Sequence, residues 1–260
     1  MRHVLVLLAL LLLPVPLLAQ RAEPPSYGIS RAWDDYASVL DRYVDDGRVD
    51  YGRWKAERPS AWARLLAWLE AADPAAWPID RRRAFWINAY NIRVIAGVLE
   101  RYPIESVREV GLLGGRIRGF FSREEHPVAG EERTLDEIEK EILLEPPLFD
   151  PRIHWALVCA SKGCPELRPE PYRAGKLDMQ LDFQARTYLN GPAGHRLDRG
   201  RRTLHLTRIF DWYDDDFEDA AGSVREYAAR YLTGAAAKAA RDPDWEIEYL
   251  EYDWSLNDRR

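Results

Sequence analysis

Three residue types that do chemistry together fall within a short span of this chain: a carboxylate at Glu139, a histidine at His154, and thiols at Cys159 and Cys164. The segment Ile153-His-Trp-Ala-Leu-Val-Cys-Ala-Ser-Lys-Gly-Cys-Pro165 holds both cysteines of the protein. His154 stands in an apolar run where a hydrocarbon side chain would cost less. A buried histidine needs hydrogen-bond partners, and with them it titrates in a range useful for proton transfer. It can equally be a satisfied core residue. A nucleophilic cysteine needs a lowered pKa, supplied by a histidine or a helix N-terminus. Cys159 is the first candidate and Cys164 its rival. His126, His195 and His205 are other possible bases.

Glu139 sharpens the reading. In a helix opened by the capping box Thr134-Leu-Asp-Glu137, the residues Leu135, Ile138, Ile142 and Leu143 define an apolar face, and Glu139 projects into it. A carboxylate there is costly unless paired, and His154 is a candidate partner. The alternative is a glutamate that reaches the rim or bonds a loop amide. Asp136, Glu137, Lys140 and Glu141 fall on the flanks, where solvated charges belong. The opposed reading of the cysteines is a disulfide. Two thiols with four residues between them in an exported protein pair readily. So small a loop adds only about 2 kcal/mol in the chain-entropy estimate. Zinc ligand spacing is absent, and no cofactor is implied.

The elements that must position these groups follow from periodicity. Residues 153–160 are apolar on both faces and predict a buried strand. On it, His154 and Cys159 would face opposite sides, roughly 16 Å apart at about 3.3 Å per residue. A bulge or bend would be needed to join them. Trp33, Tyr36, Leu40, Tyr43 and Val44 predict a first helix stopped by Gly47, and Trp62, Leu65, Leu66 and Leu69 a second. A long third helix, capped by Asp80, runs to Tyr102 and stops at Pro103. It contains Asn88 and Asn91 at i and i+3, two amides that either hold loops by bonding backbone or contact substrate.

Residues 111–130 read as a long irregular excursion, and 176–190 as a helix stopped by Asn190-Gly191. Thr203–Leu206 and Trp245–Tyr249 read as strands, and Ser223–Leu232 as a helix. Asp211–Asp219 packs six carboxylates into nine residues. A solvated helix face explains that run better than a calcium loop, which would need a turn glycine. Long helices and few, scattered strands indicate an α+β fold, mostly helical with a small antiparallel sheet, in a single domain over residues 27–258.

Residues 1–19 have the pattern of a secretory signal: Arg2 and His3, an apolar run from Val4 to Leu13, and Leu17-Leu-Ala19 before the cleavage point. Pro14 and Pro16 break the run, which is too short to span a bilayer. Loss of Arg2 takes the formal charge from −6 to −7. The mature chain is then expected to be secreted or periplasmic, not membrane-spanning, and without a basic stripe for nucleic acid. Ten Trp and thirteen Tyr are assigned mainly to packing.

Phe85-Trp-Ile-Asn-Ala-Tyr-Asn91, Leu135-Asp-Glu-Ile-Glu139, His154 to Pro165, Phe210-Asp-Trp-Tyr213 and Tyr252-Asp-Trp-Ser-Leu-Asn257 together resemble the DUF547 family, with Gly47-Arg-Val-Asp-Tyr51 in register. The resemblance spans about residues 30–258. It implies distant similarity to papain-like thiol enzymes, including phytochelatin-synthase-like transpeptidases, and a Cys-His-Glu site. Carried over, Glu139, His154 and Cys159 match the Glu, His and first Cys. Cys164 matches the second Cys, which plant relatives replace by Ser. Many relatives have His where this chain has Lys140, and the Cys-then-His order of papain-like enzymes is reversed here. The expected function is an exported thiol hydrolase or transpeptidase acting on a small peptide or γ-glutamyl-type amide. In it Cys159 is nucleophile, His154 base and Glu139 orienter. Ser161, Lys162 and Gly163 contact substrate, their amides forming an oxyanion hole. The alternative is a non-catalytic periplasmic binding or scaffold module with a Cys159–Cys164 disulfide.

Overall fold

A computed structural model describes residues 28–110 and 118–259. The signal-like segment lies outside them. Helix α1 (Ile29–Tyr43) buries Trp33, Tyr36, Leu40 and Tyr43, the stripe its spacing predicts. It leads into a two-stranded hairpin, β1 (Val44–Asp45) and β2 (Arg48–Val49). Gly47 belongs to that hairpin's turn, with φ +71°, and does not end the helix. Helices α2 (Tyr51–Glu57) and α3 (Ser60–Ala71) pack beside α1.

The spine is α4 (Ile79–Arg101), entered through Pro78 with Asp80 in its first turn. Every residue from Ala84 to Leu99 is buried. A helix covered all round forces its polar residues to find partners inside the protein. Asn88 and Asn91 are therefore placed to hold neighbouring chain.

The expected irregular excursion is in part ordered. Residues 111–117 lie outside the described residues. They are followed by α5 (Arg118–Ser122) and a hairpin of β3 (His126–Val128) and β4 (Glu131–Arg133). The capping box forms as expected: the Glu137 amide donates to Thr134 Oγ1 at 3.1 Å, and the Thr134 amide to Glu137 at 2.6 Å. The helix it opens, Glu137–Leu143, is wound as a π-helix, with the Leu144 amide bonding Glu139 O at 2.9 Å. Such turns are uncommon and concentrate at functional sites.

The predicted strand at 153–160 is not a strand. Asp150 caps the Arg152 amide at 2.9 Å, and Pro151 opens a 3₁₀ helix over Pro151–Trp155. Proline in the first turn fixes a helical φ and lacks only a donor that would have no partner there. This turn lies between two buried apolar clusters, giving Ile153 to the N-terminal one and Trp155 to the C-terminal one.

The second cluster is built from α6 (Leu177–Asn190), a three-stranded sheet and a group of short helices. In the sheet, β5 (His195–Asp198) pairs antiparallel with β6 (Thr203–Leu206), which pairs parallel with β7 (Glu246–Tyr249). The fold is mixed α+β with small sheets, and this sheet is mixed, not purely antiparallel. The parallel pair requires a crossover. It is supplied by α7 (Ile209–Trp212), α8 (Asp214–Ala221), α9 (Val224–Tyr231) and α10 (Gly234–Arg241). The chain then returns as a strap. Asn257 N bonds Ala160 O at 3.0 Å, and Leu256 N bonds Glu105 O at 2.7 Å. Among the described residues no helix is long and apolar enough to cross a membrane.

Candidate functional site

A cavity of about 870 Å³ opens between the two clusters and is lined by Glu139, His154, Cys159 and Cys164. The sequence-derived residues thus converge on one place, but their pairings differ from those expected. Facing them are Tyr213 and Tyr252, from the crossover and the strap. Trp212 and Trp254 also line the cavity, and both stack near Tyr252.

Asn91 builds the first wall. Its Nδ2 donates to Ala156 O at 2.9 Å and its Oδ1 accepts from Val158 N at 2.9 Å, so one amide clamps both ends of the link from His154 to Cys159. Asn88 does the same for Tyr172, at 2.8 and 2.9 Å. Both asparagines are buried, bond backbone through both ends of the amide and do not line the cavity.

His154 does not pair with Glu139. Its Nε2 meets Asp216 Oδ2 at 2.8 Å, and its ring packs 4.1 Å from the ring of Tyr213. Asp216 belongs to the acidic run read as a solvated face, and it is the one carboxylate of those six that is not exposed. Glu139 accepts instead from Tyr213 OH, at 2.6 Å. A carboxylate on one imidazole nitrogen fixes the ring and leaves Nδ1 for proton transfer.

Cys159 Sγ lies 3.0 Å from Ser161 Oγ and 3.1 Å from Tyr252 OH. No histidine is among its hydrogen-bond partners. Burial pushes this thiol up. Hydrogen bonds involving Cys164, Ser161, Tyr252 and the Ser161 backbone more than offset it, leaving the pKa below the ordinary thiol value. Cys164 goes the other way. Burial, with the neighbouring Cys159, holds it well above the usual range. Its Sγ accepts from the Cys159 amide at 2.8 Å. Both cysteines are free thiols, not a disulfide. The structure thus separates two residues that the sequence left as rivals.

Ala160, directly after Cys159, is held at φ +57°. That conformation costs a non-glycine residue about 1–2 kcal/mol and persists only where surroundings impose it. The strap imposes it through Asn257 on Ala160 O. The same strap removes the expected oxyanion hole. Lys162 N donates to Ser255 O and Gly163 N to Asp253 O, both at 2.9 Å. Lys162 itself is exposed and does not line the cavity. Gly163 is needed for closeness, since a Cβ there would sit 2.9 Å from Asp253 N. Of the three, Ser161 alone keeps a role at the sulfur.

The other histidines are elsewhere. His195 Nδ1 bonds Leu189 O at 2.8 Å, and His205 lies 3.4 Å from Glu248. His126 is buried in the β3–β4 hairpin. Burial, with Arg93 and Arg101 nearby, takes its pKa down to about 4. Tyr90, unremarked in the sequence, lines the cavity with no hydrogen-bond partner for its hydroxyl among the described residues. Burial, then the negative charge of Glu139, keeps that phenol protonated. Among the described residues no group of three or more His, Cys, Asp or Glu gathers as a metal set.

Residues 74–189 match the family model described as a protein of unknown function, DUF547. That stretch is a little under half of the chain and contains Asn91, Glu139, His154, Cys159 and Cys164. It excludes Tyr213, Asp216 and Tyr252, and three of the motifs on which the longer resemblance rests. No curated protein and no solved structure matches the chain.

Proposed function

We propose that this protein is an exported thiol enzyme of distant papain-like descent that cleaves or transfers the acyl group of a small peptide or γ-glutamyl-type amide. The observation that carries the reading is the asymmetry of the two cysteines. Cys159 is part exposed in the cavity with the hydroxyls of Ser161 and Tyr252 at its sulfur, while Cys164 is buried with its sulfur on the Cys159 amide. A depressed thiol in a cleft that also holds a carboxylate-bound histidine is the pattern of nucleophilic catalysis.

The Cys159 thiol gives its proton to His154, and Sγ attacks the amide carbonyl carbon, forming a C–S bond and placing negative charge on the carbonyl oxygen. The hydroxyls of Ser161 and Tyr252 hold the sulfur before attack, and the hydroxyl of Tyr90, which bonds none of the described residues, is the donor for the oxyanion. The C–N bond then breaks, and His154 in its charged form gives a proton to the leaving amine. Asp216 stabilises that charged imidazole and fixes its tautomer. Water or an acceptor amine attacks the thioester with His154 Nδ1 taking its proton, which releases the acyl group and restores the thiol. Export rests on the pattern of residues 1–19.

Acyl-enzyme trapping tests this reading. Incubation with a small p-nitrophenyl ester, acid quench and intact-mass measurement should show one acyl adduct on Cys159, absent from Cys159→Ala. No adduct on Cys159, or an adduct that persists in Cys159→Ala, would refute it.

A further inference from the structure

Glu139 is left half-used by the chemistry above. The residue is over nine-tenths buried and lines the cavity. One oxygen, Oε1, accepts from Tyr213. Among the described residues the other, Oε2, takes part in no hydrogen bond or ion pair. Lys140, which also lines the cavity, is engaged by Asp136 at 3.1 Å. His154, the expected partner, is taken by Asp216.

This carboxylate, met only by a neutral phenol, keeps one oxygen for a donor that enters the cavity, and a charge taken from water favours a partner of opposite charge. The π-helical winding puts it there, and a glutamine would satisfy Tyr213 equally well. What a glutamine would lack is charge. Beside it in the cavity are Tyr90 and Tyr213.

We infer that Glu139 is the binding site for the substrate's ammonium group, which makes the substrate an amino-bearing acyl compound. The inference rests on the thiol-enzyme reading for the position of the scissile bond. Glu139 Oε2 accepts from the ammonium, and Tyr213 holds the carboxylate in place. A site built on a buried charge rejects an analogue that lacks the matching group far more strongly than an apolar pocket rejects a missing methylene. N-acylated compounds of the same size are therefore excluded, and free amino groups are selected.

The test is protection of Cys159 against iodoacetamide in the full chain under reductant. Glycylglycinamide and γ-glutamylglycine are each compared with the N-acetylated form. The free-amino compounds should halve the alkylation rate at concentrations at least tenfold lower than their acetylated forms. The better protector of the two identifies an α-aminoacyl or a γ-glutamyl substrate. In Glu139→Gln, which keeps an acceptor for Tyr213, the discrimination should fall below twofold. Equal protection by acetylated forms, no protection by any of the four, or discrimination retained in Glu139→Gln overturns the inference. The wild-type arms decide even if the variant does not fold. Protection is readable whatever the intrinsic speed of the thiol, so an ordinary Cys159 rate would count against the enzyme reading and not against the ammonium site.

Discussion

The two walls of the cavity have different characters. The one drawn from residues 74–189 carries the groups that could react: Glu139, His154 and Cys159. The one drawn from residues 209–254 carries the groups that hold them: Tyr213 on Glu139, Asp216 on His154 and Tyr252 on Cys159. Each reactive side chain has one partner across the cleft. The lesson is that the state of the site is set by how the crossover and the strap dock on the first half. The reactive wall alone would present an imidazole without Asp216 and a thiol without the Tyr252 hydroxyl.

Breaking the His154–Asp216 link should give the largest effect. His154→Gln should lower acyl transfer on the ester by about 10²–10⁴-fold, the usual weight of a general acid–base group. Asp216→Asn should lose about 10²-fold while the Cys159 alkylation rate changes little. Steady-state rates beside alkylation rates read both. An Asp216→Asn protein with full activity would detach the second wall from the chemistry.

His126 sharpens the comparison, because it is a buried histidine of the first region that pairs with no carboxylate among the described residues. Its folded pKa lies at about 4 against an ordinary 6.5. Between those values the unfolded chain takes up a proton that the folded chain refuses. Stability is therefore present above pH 6.5 and is lost as pH falls toward 4. The loss should be roughly 2–3 kcal/mol, discounted for partial hydration. Urea unfolding at pH 7 and pH 4.5 should show it, and His126→Phe should flatten that part of the profile.

The smallest effect belongs to Tyr252→Phe. It removes one hydroxyl from the thiolate, worth about 1 kcal/mol, and should raise the pH of half-maximal Cys159 alkylation by under one unit. The mirror change on Cys164, to Ala, should leave Cys159 reactive with a shift in the same direction.

The first wall was far more legible in the sequence than the second. Glu139 stood out because it interrupts an apolar face, and His154 because it interrupts an apolar run. The long helices followed from spacing, as in Trp33, Tyr36, Leu40 and Tyr43. The run at 153–160 misled because apolar residues on both faces suit a buried strand and a buried turn alike. The deciding signal was Asp150-Pro151, which starts a 3₁₀ helix. Asp216 was hidden because nothing local separates it from five neighbouring acids, and only the packing of α8 on the 3₁₀ turn turns it inward. The parallel pairing of β6 with β7 was invisible for the same reason, since two short strands are joined by a crossover of four helices. The oxyanion expectation failed because the strap that consumes the Lys162 and Gly163 amides lies some ninety residues further along the chain.

The central claim is that Cys159 is the favoured thiolate and Cys164 is not. The pH dependence of iodoacetamide modification under reductant, resolved by peptide mass mapping, tests it most directly. The account predicts modification of Cys159 alone, with a half-maximal rate below the ordinary thiol pKa of about 8.5. A half-maximum at or above that value, or modification of Cys164 first, would contradict it.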